Sequence, residues 1–251
     1  MSYRAFLREM VSLALEEEGR FLLPVMGSVA GALQYRQLYE LLRKYLGPGR
    51  PEVKVLDWGS GNGHFSLYLD RAGFEAWGFS FGDCPLGSRL SNPDRLVRGS
   101  PGLPTALPFE EGKFDAVVSV GVLEHVSETG GQDVASLKEI HRILRPGGLF
   151  FCYHLPNRYS LNERLAALLP GKFRHQDRYS RRDIVRISEE ANLNLLEVRR
   201  YGFLPRNELV RLPRMLRFSP GFAAFYDALD VALSLILSAF CQSYLFVAKK
   251  G

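Results

Sequence analysis

Cysteine is scarce in this 251-residue chain. Cys84, Cys152 and Cys241 stand far apart without paired spacing, which argues against a disulfide framework and against a zinc site. No group of His, Cys, Asp and Glu shows metal-ligand spacing either, so no metal is expected. An uninterrupted long apolar run is also missing. The most apolar stretch, residues 222–240, contains Asp227 and Asp230, whereas a membrane span needs about 20 predominantly apolar residues; the expectation is a helix packed on the domain with these two acids on its exposed edge. The N-terminus carries Arg4, Arg8 and Glu9 before any apolar run and lacks a small-residue cleavage pattern, so it does not read as a secretory leader. No recognised nucleic-acid module is visible, and the arginines of the C-terminal third alternate with aliphatic residues instead of stacking aromatics. Nucleic acid is therefore not an expected partner, and a reduced, cytoplasmic setting is the expectation.

What is present is an ordinary globular composition, 46% hydrophobic and 24% charged, long enough for one large domain or a domain with an appendage. Charge is unevenly spread. Residues 152–251 hold 16 Lys and Arg against 9 Asp and Glu, a balance of +7, which leaves −2 for the first 151 residues. A positive field over the C-terminal part would attract an anionic acceptor or a membrane surface. Contact with the inner face of a membrane through this basic segment, where Arg206, Arg211, Arg214 and Arg217 interleave with Leu209, Leu212, Met215, Leu216 and Phe218, is the alternative to a purely cytoplasmic location.

The organising stretch is Val53 to Phe65. A short apolar run closes on Asp57, passes through Gly59, Gly61 and Gly63, and re-emerges as a helical pattern over 65–72, which reads as strand, glycine turn, helix. Glycine lacks a Cβ, so Gly59 and Gly61 can take positive φ and let a ligand lie against bare backbone. A dinucleotide site wants Gly-x-Gly-x-x-Gly, with its third glycine where this chain has His64. The spacing here is Gly-x-Gly-x-Gly. With the acid two residues before the first glycine, the stretch resembles motif I of the class I S-adenosylmethionine-dependent methyltransferases.

Further blocks carry the same resemblance. Leu107-Pro108-Phe109, Phe114-Asp115 and Gly121-Val122-Leu123-Glu124-His125-Val126 are similar to a subgroup that includes quinone-pathway and other small-molecule methyltransferases. An amphipathic helix over 137–144, the turn Arg145-Pro146-Gly147-Gly148 and a fifth strand over 149–153 complete the series. Alternating strands and helices over 53–154 imply a parallel sheet with right-handed crossovers. The resemblance implies an α/β, Rossmann-like, seven-stranded, mostly parallel sheet with an antiparallel last strand (243–248), helices on both faces and an N-terminal helical cap. That cap would occupy residues 1–49, with helices over 3–18 and 31–46. Residues 50–251 would form the methyltransferase domain, with substrate-side insertions at about 155–180 and 202–240.

The same resemblance implies S-adenosyl-L-methionine as cofactor, held by Asp57, Gly59, Ser60, Gly61, Asn62 and Gly63 on the turn, Phe79, Ser80 and Phe81 after the second strand, Leu103, and Ser119 and Val120 at the end of the fourth strand. Two departures stand out. Ser80 occupies the place of the acid that holds the ribose, with Asp83 nearby, and Leu103 occupies the place of the acid that binds the adenine amino group. The helix between strands two and three is expected to shrink to a turn in the Pro- and Gly-rich 82–93.

Methyl transfer from a sulfonium is an in-line displacement, which needs a base only if the acceptor must lose a proton. His154, at the end of the fifth strand, is the first candidate, because histidine titrates near neutral pH; His175, in the polar loop 173–180, is the second. The functional expectation is methyl transfer to a small or lipid-linked acceptor, at oxygen. The departures at Ser80 and Leu103 motivate the alternative of a methyltransferase-fold binding or scaffold protein, and the basic segment that of a membrane-surface enzyme.

Overall fold

The computed structural model describes residues 27–100, 102–168 and 175–251, together with Arg4, Ala5, Arg8 and Ser12. The helix expected over 3–18 lies for the most part outside the described residues. Seven strands form one sheet in the order β3-β2-β1-β4-β5-β7-β6. They are β1 (Lys54–Trp58), β2 (Glu75–Ser80), β3 (Leu96–Arg98), β4 (Phe114–Val120), β5 (Leu144–Pro156), β6 (Leu193–Tyr201) and β7 (Ser243–Lys250). β1 to β5 pair in parallel, and β7 runs antiparallel to both β5 and β6. This is the Rossmann-like arrangement expected, antiparallel last strand included.

Side chains alternate across each strand, and the two faces build two cores. Val55, Ala116, Val118, Phe151, Leu245 and Val247 face one side. There they meet Leu38, Leu41 and Leu42 of the helix Arg36–Leu46, and Leu67 and Leu69 of the helix His64–Ala72. Leu56, Val117, Phe150 and Phe246 face the other side, against Leu137 and Ile140 of the helix Asp133–Ile143 and Ile184 and Ile187 of the helix Arg181–Glu190. The last of these starts at a capping box in which the Ser180 hydroxyl accepts the Asp183 N–H while the Asp183 carboxylate accepts the Ser180 N–H, as its sequence suggests.

Three local features depart from the sequence reading. The expected continuous helix over 31–46 is broken: Val29–Ala32 is α-helical, Leu33–Tyr35 tightens to a 3-10 turn, and the α-helix resumes at Arg36. Residues 94–98 read as a third strand, but it begins only at Leu96, because Pro93–Arg95 turns as a 3-10 element. Arg145 to Gly148 extends β5, with an irregular register between Phe114 and Ala116, where a turn was expected. The missing helix between β2 and β3 is, as expected, reduced to short 3-10 turns at Pro85–Arg89 and Pro93–Arg95.

The largest correction concerns Asp227 and Asp230. Both lie on the helix Pro220–Ile236 and are buried, since the same helix packs its polar pair inward on Arg206, which is itself only 6% exposed. Arg206 donates to Asp230 Oδ2 (2.6 Å) and Asp227 Oδ1 (2.9 Å), and to the Ala30 carbonyl. Asp230 Oδ1 accepts the backbone N–H groups of Phe203 and Leu204, and Arg36 pairs with Asp227 at 3.1 Å. Arg206 is therefore a buried cross-link between the N-terminal segment and the C-terminal helix, not part of a basic surface.

Candidate active site

The functional end of the sheet is the carboxyl edge of β1, β4 and β5. Asp57 and Ser119 point to opposite faces of adjoining strands, with Ser80 closing β2. Between β1 and the helix His64–Ala72, the glycine turn takes the positive φ values predicted for it: 82° at Gly59, 49° at Gly61 and 89° at Gly63. The three glycines serve different ends. A Cβ on Gly59 would sit 2.3 Å from Val122 Cγ2, and one on Gly63 would sit 2.5 Å from Cys84 Sγ. Only Gly61 faces open space, its nearest neighbour being the Gly59 carbonyl at 3.9 Å. The bare backbone available to a ligand is thus at Gly61, while Val122 already covers Gly59. The Gly59 and Ser60 N–H groups are spent on the Phe79 carbonyl, which ties the turn to β2.

Asp57 is 2% exposed and accepts the Ser66 hydroxyl at 2.7 Å. Burial pushes its carboxyl up to about 7, partly offset by that hydrogen bond. Phe79 is buried against Phe81 and Phe109, the Ser80 hydroxyl donates to the Gly82 carbonyl, and Asp83 is exposed and paired with Arg98. Leu103 is 61% exposed and Ser119 fully buried. Asn62 packs its carbonyl under the Leu86 N–H. Asp57, Ser80, Ser119 and Val120 thus stand at the carboxyl ends of β1, β2 and β4, with the glycine turn following β1, whereas Leu103 lies on the loop after β3 and is exposed.

Beyond β4 and β5 opens a cavity of about 550 Å³. Val120, His154 and His175 line it together with Tyr35, Arg206 and Tyr201. His154 sits in a β-bulge: three steps along β5 from Cys152 to Leu155 oppose two along β7, and its φ is +64°. Such a bulge re-aims a side chain, and positive φ in a non-glycine residue signals a conformation held by its surroundings. What holds it is Tyr201, whose hydroxyl accepts the His154 backbone N–H at 2.9 Å and stands 2.6 Å from Nδ1. Nε2 is buried and has no hydrogen-bond partner. Burial, aided by the Arg206 charge, lowers the imidazole to about 3, so it is neutral at ordinary pH.

Sequence reasoning missed Tyr35, Glu124 and Arg206. Tyr35, half-buried, stands on the 3-10 turn that breaks the N-terminal helix, and its hydroxyl is held protonated by desolvation and by the negative charge of Asp57. Arg206 had a signal: two acids three residues apart on one helix face, inside an apolar helix, require a buried cation.

A methyltransferase-domain family matches residues 31–198, more than half of the chain. The chain belongs to that family. Its members depend on S-adenosylmethionine, and the fold, the glycine turn and the open face of Gly61 fit that donor. The chain is 32% identical over 123 residues to an uncharacterised methyltransferase of Synechocystis sp., covering 49% of this chain and 55% of that protein. It is 35% identical over 115 residues to a demethylmenaquinone methyltransferase of Mycolicibacterium paratuberculosis, covering 46% of each. The chain thus spans about half the length of these curated relatives. Among solved structures, the 1,6-didemethyltoxoflavin-N1-methyltransferase of Burkholderia thailandensis, with 1,6-didemethyltoxoflavin and S-adenosylhomocysteine bound, superposes with a TM-score of 0.55 at 18% identity, over 99% of this chain and 88% of that one. That likeness concerns the fold. No helix among the described residues is long and apolar enough to cross a membrane.

Proposed function

We propose that this methyltransferase transfers a methyl group from S-adenosylmethionine to a small or lipid-linked acceptor, at oxygen, with the acceptor in the 550 Å³ cavity. The observation that carries this reading is that Val120 at the end of β4 and His154 near the end of β5 line that cavity, at the same carboxyl edge of the sheet where β1 delivers Asp57 and the glycine turn. The bound donor supplies an electrophilic methyl on a sulfonium. The chain's part is to align the acceptor and keep water out. Gly61 gives backbone room for the donor, and Asp57 orients its amino group. His154 Nε2, the buried nitrogen without a partner, hydrogen-bonds the acceptor hydroxyl. An oxygen that has gained a methyl while still holding its proton is strongly acidic, so even an imidazole as weakly basic as His154 can relieve it of that proton. His175, which lines the same cavity, bears on the acceptor. The N-terminal segment, pinned by Arg206, closes the cavity. One relative's printed name bears on the acceptor: it is a demethylmenaquinone methyltransferase.

Calorimetry with S-adenosylmethionine and S-adenosylhomocysteine tests the cofactor part, and absence of binding at millimolar ligand sinks it. A tritiated-methyl transfer screen over lipid extracts and small hydroxylated aromatics tests the acceptor part; a labelled product that partitions as neither would refute it.

A second reading, contact with a membrane surface, is favoured by one patch. Phe225, Leu235 and Ile236 of the C-terminal helix are 65%, 76% and 78% exposed, and Met215 beside Arg214 is 88% exposed. Apolar side chains flanked by arginine suit an anionic bilayer. Co-sedimentation with vesicles decides it, and equal recovery with neutral and anionic lipid counts against it.

A further inference from the structure

Glu124 and His125 lie on the 3-10 turn Leu123–Thr129 that follows β4, and His175 comes from the loop before Arg181–Glu190. His175 is remote in sequence from the adjacent Glu124 and His125, yet the three each bring one ligand atom to within 4.8 Å of the others, and all three line the cavity. Three features separate the group from a chance meeting of polar side chains. Each imidazole has a carboxylate at Nδ1: Glu128 Oε1 lies 2.9 Å from that of His125, and Glu163 Oε1 lies 2.8 Å from that of His175. Imidazoles that ligate metals almost always donate their other ring N–H to such a group, which fixes the tautomer with its lone pair on Nε2. Glu124 is 2% exposed, and its Oε2 is buried without a hydrogen-bond partner; a buried carboxylate oxygen in that condition is costly unless a cation or donor meets it. Finally, the two imidazole rings converge, their centroids 5.5 Å apart.

We propose that Glu124, His125 and His175 form a binding site for one divalent transition-metal ion of the zinc, cobalt, manganese or iron(II) class. Two nitrogens and one carboxylate suit these ions, whereas magnesium and calcium prefer all-oxygen surroundings. Donors around one ion at about 2.1 Å stand roughly 3 to 3.4 Å apart, so the three side chains close inward by about an ångström. Three protein ligands leave open positions, and these face the cavity. An acceptor carrying a hydroxyl or carboxylate oxygen can fill one, which deepens the proposed function; the metal site itself rests only on the three residues.

The test is titration of the purified chain with Co²⁺, read by visible d–d absorption, and with Zn²⁺, read by competition with a chromophoric chelator. About one equivalent of each is expected at pH 7.5. His175→Asn and Glu124→Gln should each weaken binding at least tenfold, and Glu163→Gln roughly 10- to 100-fold through the ring it orients. Because Glu124 is buried, circular dichroism and S-adenosylhomocysteine calorimetry on the same samples check folding, and His175→Asn, at a half-buried position, stands in should Glu124→Gln misfold. Substoichiometric Co²⁺ without d–d bands, unaltered Zn²⁺ affinity in His175→Asn, or Mg²⁺ displacing Zn²⁺ at equal concentration would each overturn the site. Cofactor binding is read separately, so a chain that binds metal but not S-adenosylhomocysteine refutes the methyl-transfer reading and leaves the site standing.

Discussion

The Tyr35 ring meets the His154 imidazole edge-on, with centroids 5.4 Å apart and planes at 87°. One residue comes from a break in the N-terminal helix, the other from a bulge at the end of β5. Two local irregularities are thus matched to each other across the mouth of the cavity, and Tyr35 also feels the charge of Asp57. Removing the ring should open the passage between donor and acceptor. Tyr35→Ala is expected to lower kcat/KM at least tenfold, mostly through kcat, because alignment is realised in the transition state. Tyr35→Phe keeps the ring and should lose far less. Steady-state kinetics on the two variants check this, and equal losses would show that the hydroxyl, not the edge-on ring, matters.

Asp57 supplies a pH dependence with a definite sign. Its folded carboxyl is raised to about 7 by burial. The folded protein therefore keeps a proton that the unfolded chain has released, and stability from this group is full below about pH 4 and declines as pH rises toward 7. Binding of a cationic amino group asks for the ionised form. Donor affinity should therefore climb up to tenfold per pH unit below 7 and level off above it. Calorimetry from pH 5.5 to 8 reads the slope. Asp57→Asn should bind weakly with a flat profile, and Asp57→Ala should show no detectable binding.

The glycine turn separates packing from ligand room. Gly59→Ala should cost about 2 to 4 kcal/mol, from left-handed strain and overlap with Val122. Adding Val122→Ala should recover the overlap part and leave about 1 to 2 kcal/mol. Gly61→Ala carries only the strain of its φ, yet its methyl enters the open space assigned to the donor. Chemical denaturation together with S-adenosylhomocysteine binding distinguishes them: Gly61→Ala is expected to fold and to bind poorly. A Gly61→Ala variant with unchanged affinity would remove the donor from that face.

These residues also show what the sequence makes legible. The parallel strands over 53–154 and the glycine turn follow from alternation and spacing, which are local patterns, whereas the antiparallel last strand is implied by the family resemblance alone. Residues 193–201 likewise read as a strand, and β6 has those bounds, Leu193–Tyr201. The cavity is different, because its walls come from segments as distant as 33–37, 120–125, His175, 201–208 and 227–234. The Glu124, His125 and His175 cluster has no ligand spacing to read, since it is assembled by the return of the loop before Arg181. Tyr35 could not be singled out because an apolar face at helical period continues through the 3-10 break. The two acids of the C-terminal helix were readable as polar but not as buried, since their partner lies on another element.

That partner, Arg206, gives the sharpest stability prediction. Its guanidinium meets Asp227 and Asp230 at 2.9 and 2.6 Å, and Arg36 holds the far oxygen of Asp227 at 3.1 Å. Taking away one member of a buried ion network leaves charge uncompensated, which typically costs 3 to 5 kcal/mol. Arg206→Met keeps the volume of the stem and should lose about that much in chemical denaturation. Adding Asp230→Asn should restore part of it, because one fewer carboxylate is stranded. The Phe203 and Leu204 N–H groups still find an acceptor in the asparagine carbonyl. If the network instead serves only a solvated surface, Arg206→Met will change stability by less than about 1 kcal/mol, and the double variant will be no better than the single.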